Sequence, residues 1–374
     1  MRIGIEAQRV FRPRKHGMEV VAMELIRQLQ LQDLSNEYVV FAKQDSDRNC
    51  IQPSPNFSIR LPAGASYADW EQFSLPRAVR KEKLDLLHCT CNTAPLFPGA
   101  PLLLTLHDII YLEKTDFKGT AYQNFGNLYR RWIVPRIVKK CLSVITVSQY
   151  ERLRIIERLR LPEEKVKVVY NAVNPHFNPA YDPDSISALR REHGLPKEFV
   201  LFLGNTAPKK NTPNTIEAFI RHAARYPDTI PMVMLDYDKD LVESALAKTG
   251  RRDLLPHFFF PGYIPSAKMP LLYNAATLFL YPSLRESFGL PILEAMASGT
   301  PVITSNTSSM PEIAGDAARL IDPCQVDDLS TAISDLLSNP ALRSDYRQKG
   351  LARASQFTWA ESARQLLKIY SGLV

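Results

Sequence analysis

Glu286 and Glu294 flank a short turn whose composition suits the binding of a phosphate group. Phe288, Gly289 and Leu290 lie between the two carboxylates. If a helix begins at this turn, its first backbone N–H groups have no partner within the helix and can donate to a phosphate. The partial positive charge of the helix N-terminus also favours a bound phosphate. Gly289 lets the backbone approach an anion closely because it has no side chain. A diphosphate at this turn would leave one glutamate on each side of it to bind hydroxyl groups, as a nucleotide-sugar site requires.

The residues around this turn predict a strand, a loop, a helix, a turn and a second strand. Thr277–Tyr281 is an apolar run of strand length. Pro291 suits the first turn of a helix, where its missing N–H removes no hydrogen bond. Gly299 suits the position just past the helix, before the second strand. Further along, Ser309 and Glu312 have the spacing of a capping box, which predicts the start of another helix.

A second candidate anion site follows another apolar strand, Phe199–Leu203. Gly204 ends this strand, Lys209 and Lys210 lie in the loop, and a helix is predicted soon after them. A glycine turn, two cations and a helix N-terminus together favour anion binding. The GxxxxGK[ST] spacing of a P-loop is missing, so a nucleotide site of that class is not predicted. A solvated loop is the alternative.

Two further positions lie where parallel sheets bind ligands. His107, followed by Asp108, ends the apolar run 102–106, and open α/β sheets bind ligands at the C-terminal ends of their strands. A lone histidine is more often structural, but this position beside an aspartate makes His107 a candidate functional residue. Gly17 follows the first predicted strand and opens a helix, where a phosphate or substrate could approach closely. Because the GxGxxG pattern is absent, Gly17 alone is a weak indication.

The chain alternates strand and helix patterns, which favours parallel sheets covered by helices on both faces. Its 374 residues exceed one ordinary domain, and a hydrophobic share of 45% lets each of two domains bury a core. Met1–Glu6 is predicted to be a strand rather than a signal peptide, and no apolar run approaches the roughly 20 residues of a membrane span. With five cysteines and no Cys-x-x-Cys pair, reduced thiols in the cytoplasm are expected.

The net charge of +7 comes largely from the first half of the chain. Basic residues cluster in 77–83, 129–131, 136–140 and 152–160. These clusters could be solvated helix faces, or they could contact an anionic lipid surface or receive an anionic acceptor. Peripheral contact with the inner face of the plasma membrane is therefore one expectation. Nucleic-acid binding is not expected, because neither a recognition motif nor an aromatic stacking platform accompanies the basic residues.

The stretch from Ser283 to Val302 resembles the signature of the retaining GT-B glycosyltransferases of family 4. It reads Ser-Leu-x-Glu-x-Phe-Gly-Leu-Pro-x-Leu-Glu-Ala-Met-Ala-x-Gly-Thr-Pro-Val. The segments Trp70–Gln72, His107–Asp108 and 204–211 look most like those of the mannosyltransferase-like branch, which uses GDP-mannose.

The resemblance implies an α/β, GT-B fold, with two Rossmann-like domains facing each other across a cleft. Residues 1–175 would form the N-terminal acceptor domain and 176–196, rich in Pro, Asp and Asn, the linker. Residues 197–355 would form the C-terminal nucleotide-sugar donor domain, and 356–374 a helix that crosses back to the N-terminal domain.

The resemblance also implies roles for individual residues. Glu294 would bind the ribose, Glu286 would hold hydroxyls of the transferred sugar, and His107 would approach the same sugar. Lys210 matches the lysine that binds the diphosphate, and Lys209 replaces an arginine. The segment that contains Tyr263 resembles the family's nucleobase contact. The residues expected to bind the donor are Gly17, Gly204, Lys209, Lys210, Tyr263, Ile264, Glu286, Ser287, Phe288, Gly289, Leu290 and Glu294, and those expected to be catalytic are His107, Lys210 and Glu286.

What the family implies is a retaining, metal-independent hexosyltransferase of polysaccharide biosynthesis. Lys210 and the helix N-terminus would neutralise the leaving diphosphate in place of a metal, and no cofactor is expected besides the donor substrate. GDP-mannose is the favoured donor, with UDP-glucose and UDP-N-acetylglucosamine as alternatives, and the acceptor would be a glycan, a polysaccharide or a lipid-linked glycan. A nucleotide-sugar epimerase of GT-B architecture and a non-catalytic sugar-nucleotide-binding protein are the alternative functions. Trp70–Gln72 has either an acceptor role or a packing role at a helix start.

Overall fold

The computed structural model describes residues 1–15, 17–113 and 121–373. The chain divides into two compact units. The first unit comprises Met1–Asn171 and the C-terminal segment from Trp359, and the second comprises Ala172–Thr358. Each unit contains one parallel sheet covered by helices, as the alternating sequence pattern predicts.

Within the described residues, the first unit has a seven-stranded sheet with the spatial order β3-β2-β1-β4-β5-β6-β7. Its strands are β1 Arg2–Glu6, β2 Glu37–Phe41, β3 Phe57–Arg60, β4 Leu86–Cys89, β5 Leu102–Thr105, β6 Ser143–Thr146 and β7 Val166–Val168. All neighbouring strands run parallel. The chain adds β2 and β3 on one side of β1, and β4 to β7 on the other side. Such a switch point, here between β1 and β4, opens a crevice at the C-terminal ends of the two strands.

The second unit has a six-stranded sheet, counted over its described residues, with the order β10-β9-β8-β11-β12-β13. Its strands are β8 Val200–Leu203, β9 Met232–Leu235, β10 Phe258–Phe259, β11 Leu278–Tyr281, β12 Val302–Ser305 and β13 Arg319–Ile321. The switch point of this sheet lies between β8 and β11. The sequence did not predict β13, because three residues that begin with an arginine show no apolar run.

Helices connect the strands of both sheets. In chain order they are α1 Gly17–Gln32, α2 Tyr67–Asp69, α3 Leu75–Glu82, α4 Ile110–Glu113, α5 Ala121–Lys140, α6 Gln149–Leu159, α7 Pro183–His193, α8 Thr212–Arg225, α9 Lys239–Lys248, α10 Met269–Ala275, α11 Leu290–Ala297, α12 Met310–Ala314, α13 Val326–Ser338, α14 Pro340–Ala354 and α15 Trp359–Ser371. A π-helical turn, Trp70–Ser74, joins α2 to α3, and short 3₁₀ turns lie at Arg48–Cys50, Glu163–Lys165, Pro208–Lys210, Arg252–His257 and Ser266–Lys268. None of the described helices is long and apolar enough to cross a membrane.

The last helix, α15, belongs to the first unit and packs against α1. A buried hydrogen-bond chain anchors it, in which Tyr370 Oη lies 2.7 Å from His88 Nδ1 and His88 Nε2 lies 2.7 Å from Thr105 Oγ1. Burial lowers the pKa of His88 to about 3, so this ring is neutral at physiological pH. Two hydrogen bonds inside an apolar core therefore join the strands β4 and β5 to the helix α15.

Candidate nucleotide-sugar site

The stretch that carries both glutamates folds as β11, a loop, α11, a turn and β12, which confirms the predicted element order. Gly289 immediately precedes α11 and has a φ of +100°, a backbone conformation that glycine adopts at little cost. After α11, the amide of Gly299 donates to the Met296 carbonyl and that of Thr300 to the Ala295 carbonyl, at 3.0 and 2.9 Å. These two bonds form a Schellman motif, which ends the helix at the predicted glycine.

The start of α11 presents backbone donors, as the sequence predicts. Among the described residues, the amides of Gly289 and Leu290 donate to no backbone carbonyl, while the amide of Ile292 donates to the carbonyl of Gly289 at 3.0 Å. Pro291 lies in the first turn and has no N–H. Two amides at a helix N-terminus are therefore available for an anion.

Lys210 and Glu286 meet beside this helix N-terminus. Lys210 Nζ lies 2.8 Å from Glu286 Oε1 and donates to Tyr281 Oη at 3.0 Å. The contact with Oε1 is an ion pair between a lysine and a carboxylate. Lys210 Nζ also lies 4.8 Å from the centroid of the Tyr281 ring, and Lys209 Nζ lies 3.8 Å from Glu286 Oε2. The two anion sites that the sequence predicted separately thus form a single site.

Sheet topology explains why these two loops meet. The loop with Lys210 follows β8 and the loop with Glu286 follows β11, and these neighbouring strands flank the switch point of the second sheet. A backbone bond from the Leu284 amide to the Lys209 carbonyl, 2.7 Å long, joins the loops. Both cations and the carboxylate therefore lie at the C-terminal ends of the strands, where open α/β folds bind ligands.

Packing explains why position 204 is a glycine, and this explanation differs from the predicted donor contact. A Cβ atom at this position would lie 2.6 Å from Tyr237 Cβ and 3.0 Å from the Leu235 carbonyl oxygen. Glycine is thus required for the end of β8 to pack against the segment after β9. Contact of Gly204 with the donor stays a prediction.

Two serines that the sequence analysis did not assign to the site hold the Glu286 loop in place. Ser308 Oγ accepts from the Glu286 amide at 3.1 Å and donates to the Glu286 carbonyl at 2.6 Å. Buried Ser309 Oγ lies 3.0 and 3.1 Å from the carbonyl oxygens of Glu286 and Phe288. The predicted helix start is confirmed, since α12 begins directly after Ser309. The capping box itself is wrong, because the Ser309 side chain makes no cap bond to α12 and donates to the neighbouring loop instead. Local spacing could not reveal these distant partners.

Glu294 lies on the second turn of α11, and its side chain is partly accessible to solvent. Surrounding protein atoms nevertheless desolvate the carboxyl group and raise its pKa to about 7, while a 3.2 Å hydrogen bond donated by Tyr273 Oη opposes this shift. A carboxylate in such a place can accept hydrogen bonds from hydroxyl groups of a ligand. The predicted ribose contact of Glu294 remains a prediction.

The remaining donor-site residues of the second unit differ in exposure. Tyr263 is 71% exposed, whereas Ile264 is buried, and both follow Gly262, whose φ is +76°. Ser287 and Phe288 lie in the loop before α11, and Phe288 packs edge-on against Phe357 with the ring centroids 6.0 Å apart. Binding of a nucleobase at Tyr263 and Ile264 stays a prediction.

His107 follows β5 in the first unit, and its ring is almost fully buried. Its Nε2 lies 2.9 Å from the Thr90 carbonyl oxygen, so Nε2 carries the proton, and the His107 amide donates to Asn92 Oδ1 at 2.6 Å. Burial lowers the pKa of His107, an effect that the Thr90 bond partly offsets. The imidazole is therefore neutral and held by the backbone at the end of a strand, which suits a contact with a polar substrate group better than a role as a proton donor.

Gly17 is the first residue of α1. A Cβ atom at this position would meet no atom within 4 Å, so packing does not require glycine here. Two residues later, Glu19 is buried and lies 3.8 Å from Arg9 Nη1. Neither observation tests the predicted donor contact of Gly17.

A buried polar cluster in the first unit was not predicted as such. Glu71 accepts from Tyr67 Oη at 3.1 Å and from Tyr129 Oη at 2.5 Å, and it also accepts from Thr93. Trp70 is fully buried and donates from Nε1 to the Pro62 carbonyl at 2.8 Å, which supports the packing role for this part of Trp70–Gln72. Burial raises the pKa of Glu71.

Glu6 lies at the C-terminal end of β1, next to the switch point of the first sheet. Its Oε1 accepts from the Gln8 amide at 2.8 Å, and within the described residues its buried Oε2 has no hydrogen-bond partner. Burial, with a smaller contribution from the charge of Glu71, raises the pKa of Glu6 to about 7. Among the residues that the structure describes, no group of three His, Cys, Asp or Glu side chains is arranged to hold a metal ion.

Two family models together match most of the chain. Residues 16–177 match Glycosyltransferase Family 4, and residues 185–353 match Glycosyl transferases group 1. O-antigen chain mannosyltransferase B of Escherichia coli is 32% identical over 61% of this chain, and the serotype-specific mannosyltransferase WbdA of the same organism is 28% identical over 72%. The chain spans 60% of the length of the first relative and 33% of the second.

Solved structures share the fold over the whole chain. The crystal structure of Alr3699/HepE from Anabaena, in complex with UDP, has a TM-score of 0.75 at 20% identity and covers 100% of both chains. That of WaaG, a glycosyltransferase involved in lipopolysaccharide biosynthesis, has a TM-score of 0.71 at 16% identity and covers 98% of this chain and 99% of that one. With the Glu286–Glu294 turn beside Lys210 and two family matches that together take in most of the sequence, the chain belongs to glycosyltransferase family 4, with the GT-B fold and a mannosyltransferase-like sequence.

Proposed function

We propose that the chain transfers a hexose from a nucleoside diphosphate sugar to a glycan, polysaccharide or lipid-linked acceptor, with retention at the anomeric carbon and without a metal. The observation that carries this proposal is the ion pair between Lys210 and Glu286 at the N-terminus of α11. It brings a cation and backbone donors for a diphosphate next to a carboxylate that can accept hydrogen bonds from a sugar.

The charges at the site suit departure of a diphosphate. Lys210, Lys209 and the amides of Gly289 and Leu290 supply positive charge and N–H donors where the leaving group would gain negative charge. Donors that are already in place stabilise a transition state without reorganising during the reaction. In the proposed step, the bond from C1 to the phosphate oxygen breaks, the acceptor oxygen bonds to C1 from the same face, and the acceptor proton passes to the departing phosphate.

Two carboxylates would position the donor on either side of the diphosphate. Glu286 would accept from hydroxyls of the transferred sugar once the diphosphate competes for Lys210, and Glu294 would accept from the ribose. His107, in the first unit, would contact the sugar through its neutral ring. This assignment follows the residues' match to the family pattern together with their charge and burial.

GDP-mannose is the favoured donor because curated relatives at 32% and 28% identity are mannosyltransferases. UDP-glucose and UDP-N-acetylglucosamine are the alternatives. The Anabaena structure with UDP has only 20% identity and supports the fold rather than the choice of nucleotide.

Release of nucleoside diphosphate from a panel of GDP and UDP sugars tests the proposal, with and without EDTA. We expect slow hydrolysis of one donor that resists EDTA and is lost in Lys210→Ala and in Glu286→Gln. The matched control is the exposed ion pair on α9, in which Lys239 Nζ lies 3.4 Å from Glu243 Oε1, so Lys239→Ala and Glu243→Gln should keep activity. Tight nucleotide binding without release from any donor, even with acceptors present, would favour a binding protein. Inhibition by EDTA would overturn the metal-independent mechanism.

A further inference from the structure

Helix α5 is apolar on two opposite faces. Ile133, Val134, Ile137 and Val138 are fully buried in the core of the first unit. Phe125, Leu128 and Trp132 recur at helical spacing on the other side and are 62%, 58% and 47% exposed. A helix of a water-exposed surface normally places polar residues on its outer face, so the outer face of α5 requires another explanation.

Two further apolar side chains are exposed near the C-terminal end of the helix. Phe97 is 73% exposed, and Leu142, just after α5, is 46% exposed. Lys140 Nζ donates to the Leu96 carbonyl at 2.9 Å and lies 4.6 Å from the centroid of the Phe97 ring, so the loop with Phe97 adjoins the end of α5. We define the α5 face as Phe125, Leu128 and Trp132. Exposed apolar side chains grouped on one helix face in this way mark interaction surfaces.

Basic residues lie on the same side of the helix. At 100° per residue, Lys139 falls within the arc of Phe125, Leu128 and Trp132, and Arg136 lies about 20° beyond Phe125. Arg136 Cζ lies 4.8 Å from the centroid of the Trp132 ring. The sequence from 121 to 142 contains five basic residues and no acidic residue. The surface is therefore apolar and cationic at once.

We propose that the α5 face binds the surface of an anionic lipid bilayer. Aromatic and leucine side chains would enter the boundary between headgroups and acyl chains, where tryptophan is favoured, and the cations would contact lipid phosphates. A second copy of this chain is a poorer partner, because two α5 faces would bring Arg136 and Lys139 against like charges. The inference rests on the proposed function only in that a lipid-linked acceptor would lie at such a surface.

Co-sedimentation with sucrose-loaded vesicles tests the inference in the absence of donor and acceptor. The full chain should bind equimolar phosphatidylcholine and phosphatidylglycerol, and binding should weaken with salt and on pure phosphatidylcholine. Arg136→Gln with Lys139→Gln should lower the partition coefficient about thirtyfold, because each cation near an anionic surface contributes independently. Phe125→Ser with Trp132→Ser should also weaken binding.

Matched controls lie elsewhere on the same unit. Leu31→Ser with Leu34→Ser removes side chains that are 74% and 83% exposed, and Arg77→Gln with Lys81→Gln removes two exposed cations on α3. Both controls should bind vesicles as wild type does. No vesicle binding by wild type, equal loss in the controls, or an α5-dependent dimer in sedimentation velocity would overturn the inference. Diphosphate release from a soluble donor should stay normal in all four double variants. If the wild-type chain releases no diphosphate, that result counts against the proposed function and not against the lipid-binding surface.

Discussion

Lys210 and Glu286 form an ion pair, with 2.8 Å between Nζ and Oε1, at the C-terminal ends of β8 and β11, where we propose that the donor diphosphate binds. A donor that places its phosphates against Lys210 has to compete with the Glu286 carboxylate for the same cation. The same event would free Glu286 to accept hydrogen bonds from the sugar. Binding of the phosphates and positioning of the sugar would thereby be coupled through two side chains.

Lys210→Ala should lower kcat for donor turnover about a hundredfold to a thousandfold, the usual effect of removing one group that stabilises a developing negative charge. Lys210→Arg should retain part of the activity, because it keeps the charge but changes the geometry. Steady-state diphosphate release measures both effects, with Lys239→Ala as the control of equal charge. Activity of Lys210→Ala equal to that of the control would remove Lys210 from the mechanism.

Affinity for the donor should rise with pH through about 7. Desolvation raises the pKa of Glu294 to about 7 from a usual 4.5, so the carboxylate that would accept from the ribose is only half formed at neutral pH. Calorimetric Kd values for GDP-mannose between pH 6 and 8 check this, since its two esterified phosphates do not titrate in that range. Glu294→Gln should bind GDP-mannose more weakly, with a Kd that does not change with pH. A pH dependence that persists in this variant would assign the titration to another group.

The same shift predicts the sign of an effect on folding stability. Because the folded state holds the Glu294 proton more tightly than the unfolded state, ionisation penalises folding increasingly as pH rises from about 4.5 to about 7, and fully above that. Wild type should therefore lose stability relative to Glu294→Gln across this window, because the variant has no carboxyl group to ionise. Urea unfolding at pH 5 and pH 8 measures the difference, and a difference that shrinks with pH would contradict the burial of the carboxyl group.

Gly289→Ala should lower the free energy of unfolding of the second unit by about 1–2 kcal/mol, since a side chain is disfavoured at a φ of +100°. Its Cβ would also lie 3.1 Å from Ile292 Cδ1. Gly17→Ala is the matched control, because the new methyl group would meet no atom within 4 Å at the start of a helix, and it should leave stability unchanged or increase it by about 0.4–1 kcal/mol. Equal effects of the two changes in urea unfolding would show that the turn before α11 is not strained.

Ser309→Ala should cost about 1–3 kcal/mol of stability, because two carbonyls of the Glu286 loop lose a buried donor. As a positioning residue, Ser309 should affect kcat for donor turnover more than nucleotide affinity. Ser355→Ala, which removes an exposed hydroxyl at the end of α14, is the control. A change in stability without any change in kcat would limit Ser309 to a structural role.

Local sequence determined the elements that build the site. The spacing of apolar residues, Pro291 and the two glycines around α11 predicted strand, loop, helix, turn and strand, because backbone preferences and hydrophobic periodicity act over a few residues. The alternation of such units predicted parallel sheets in two units. The family pattern then supplied the candidate residues, among them Glu286, Glu294 and Lys210.

Tertiary structure decided which of these residues meet. Lys210 and Glu286 are neighbours because β8 and β11 are adjacent at a switch point, and strand order depends on packing across the whole sheet. For the same reason Ser309 bonds to the Glu286 loop instead of capping α12, and the His107 ring donates to the Thr90 carbonyl of another strand end. Spacing along the chain specifies a helix or a turn, whereas a contact between distant residues depends on the free energy of the assembled sheet.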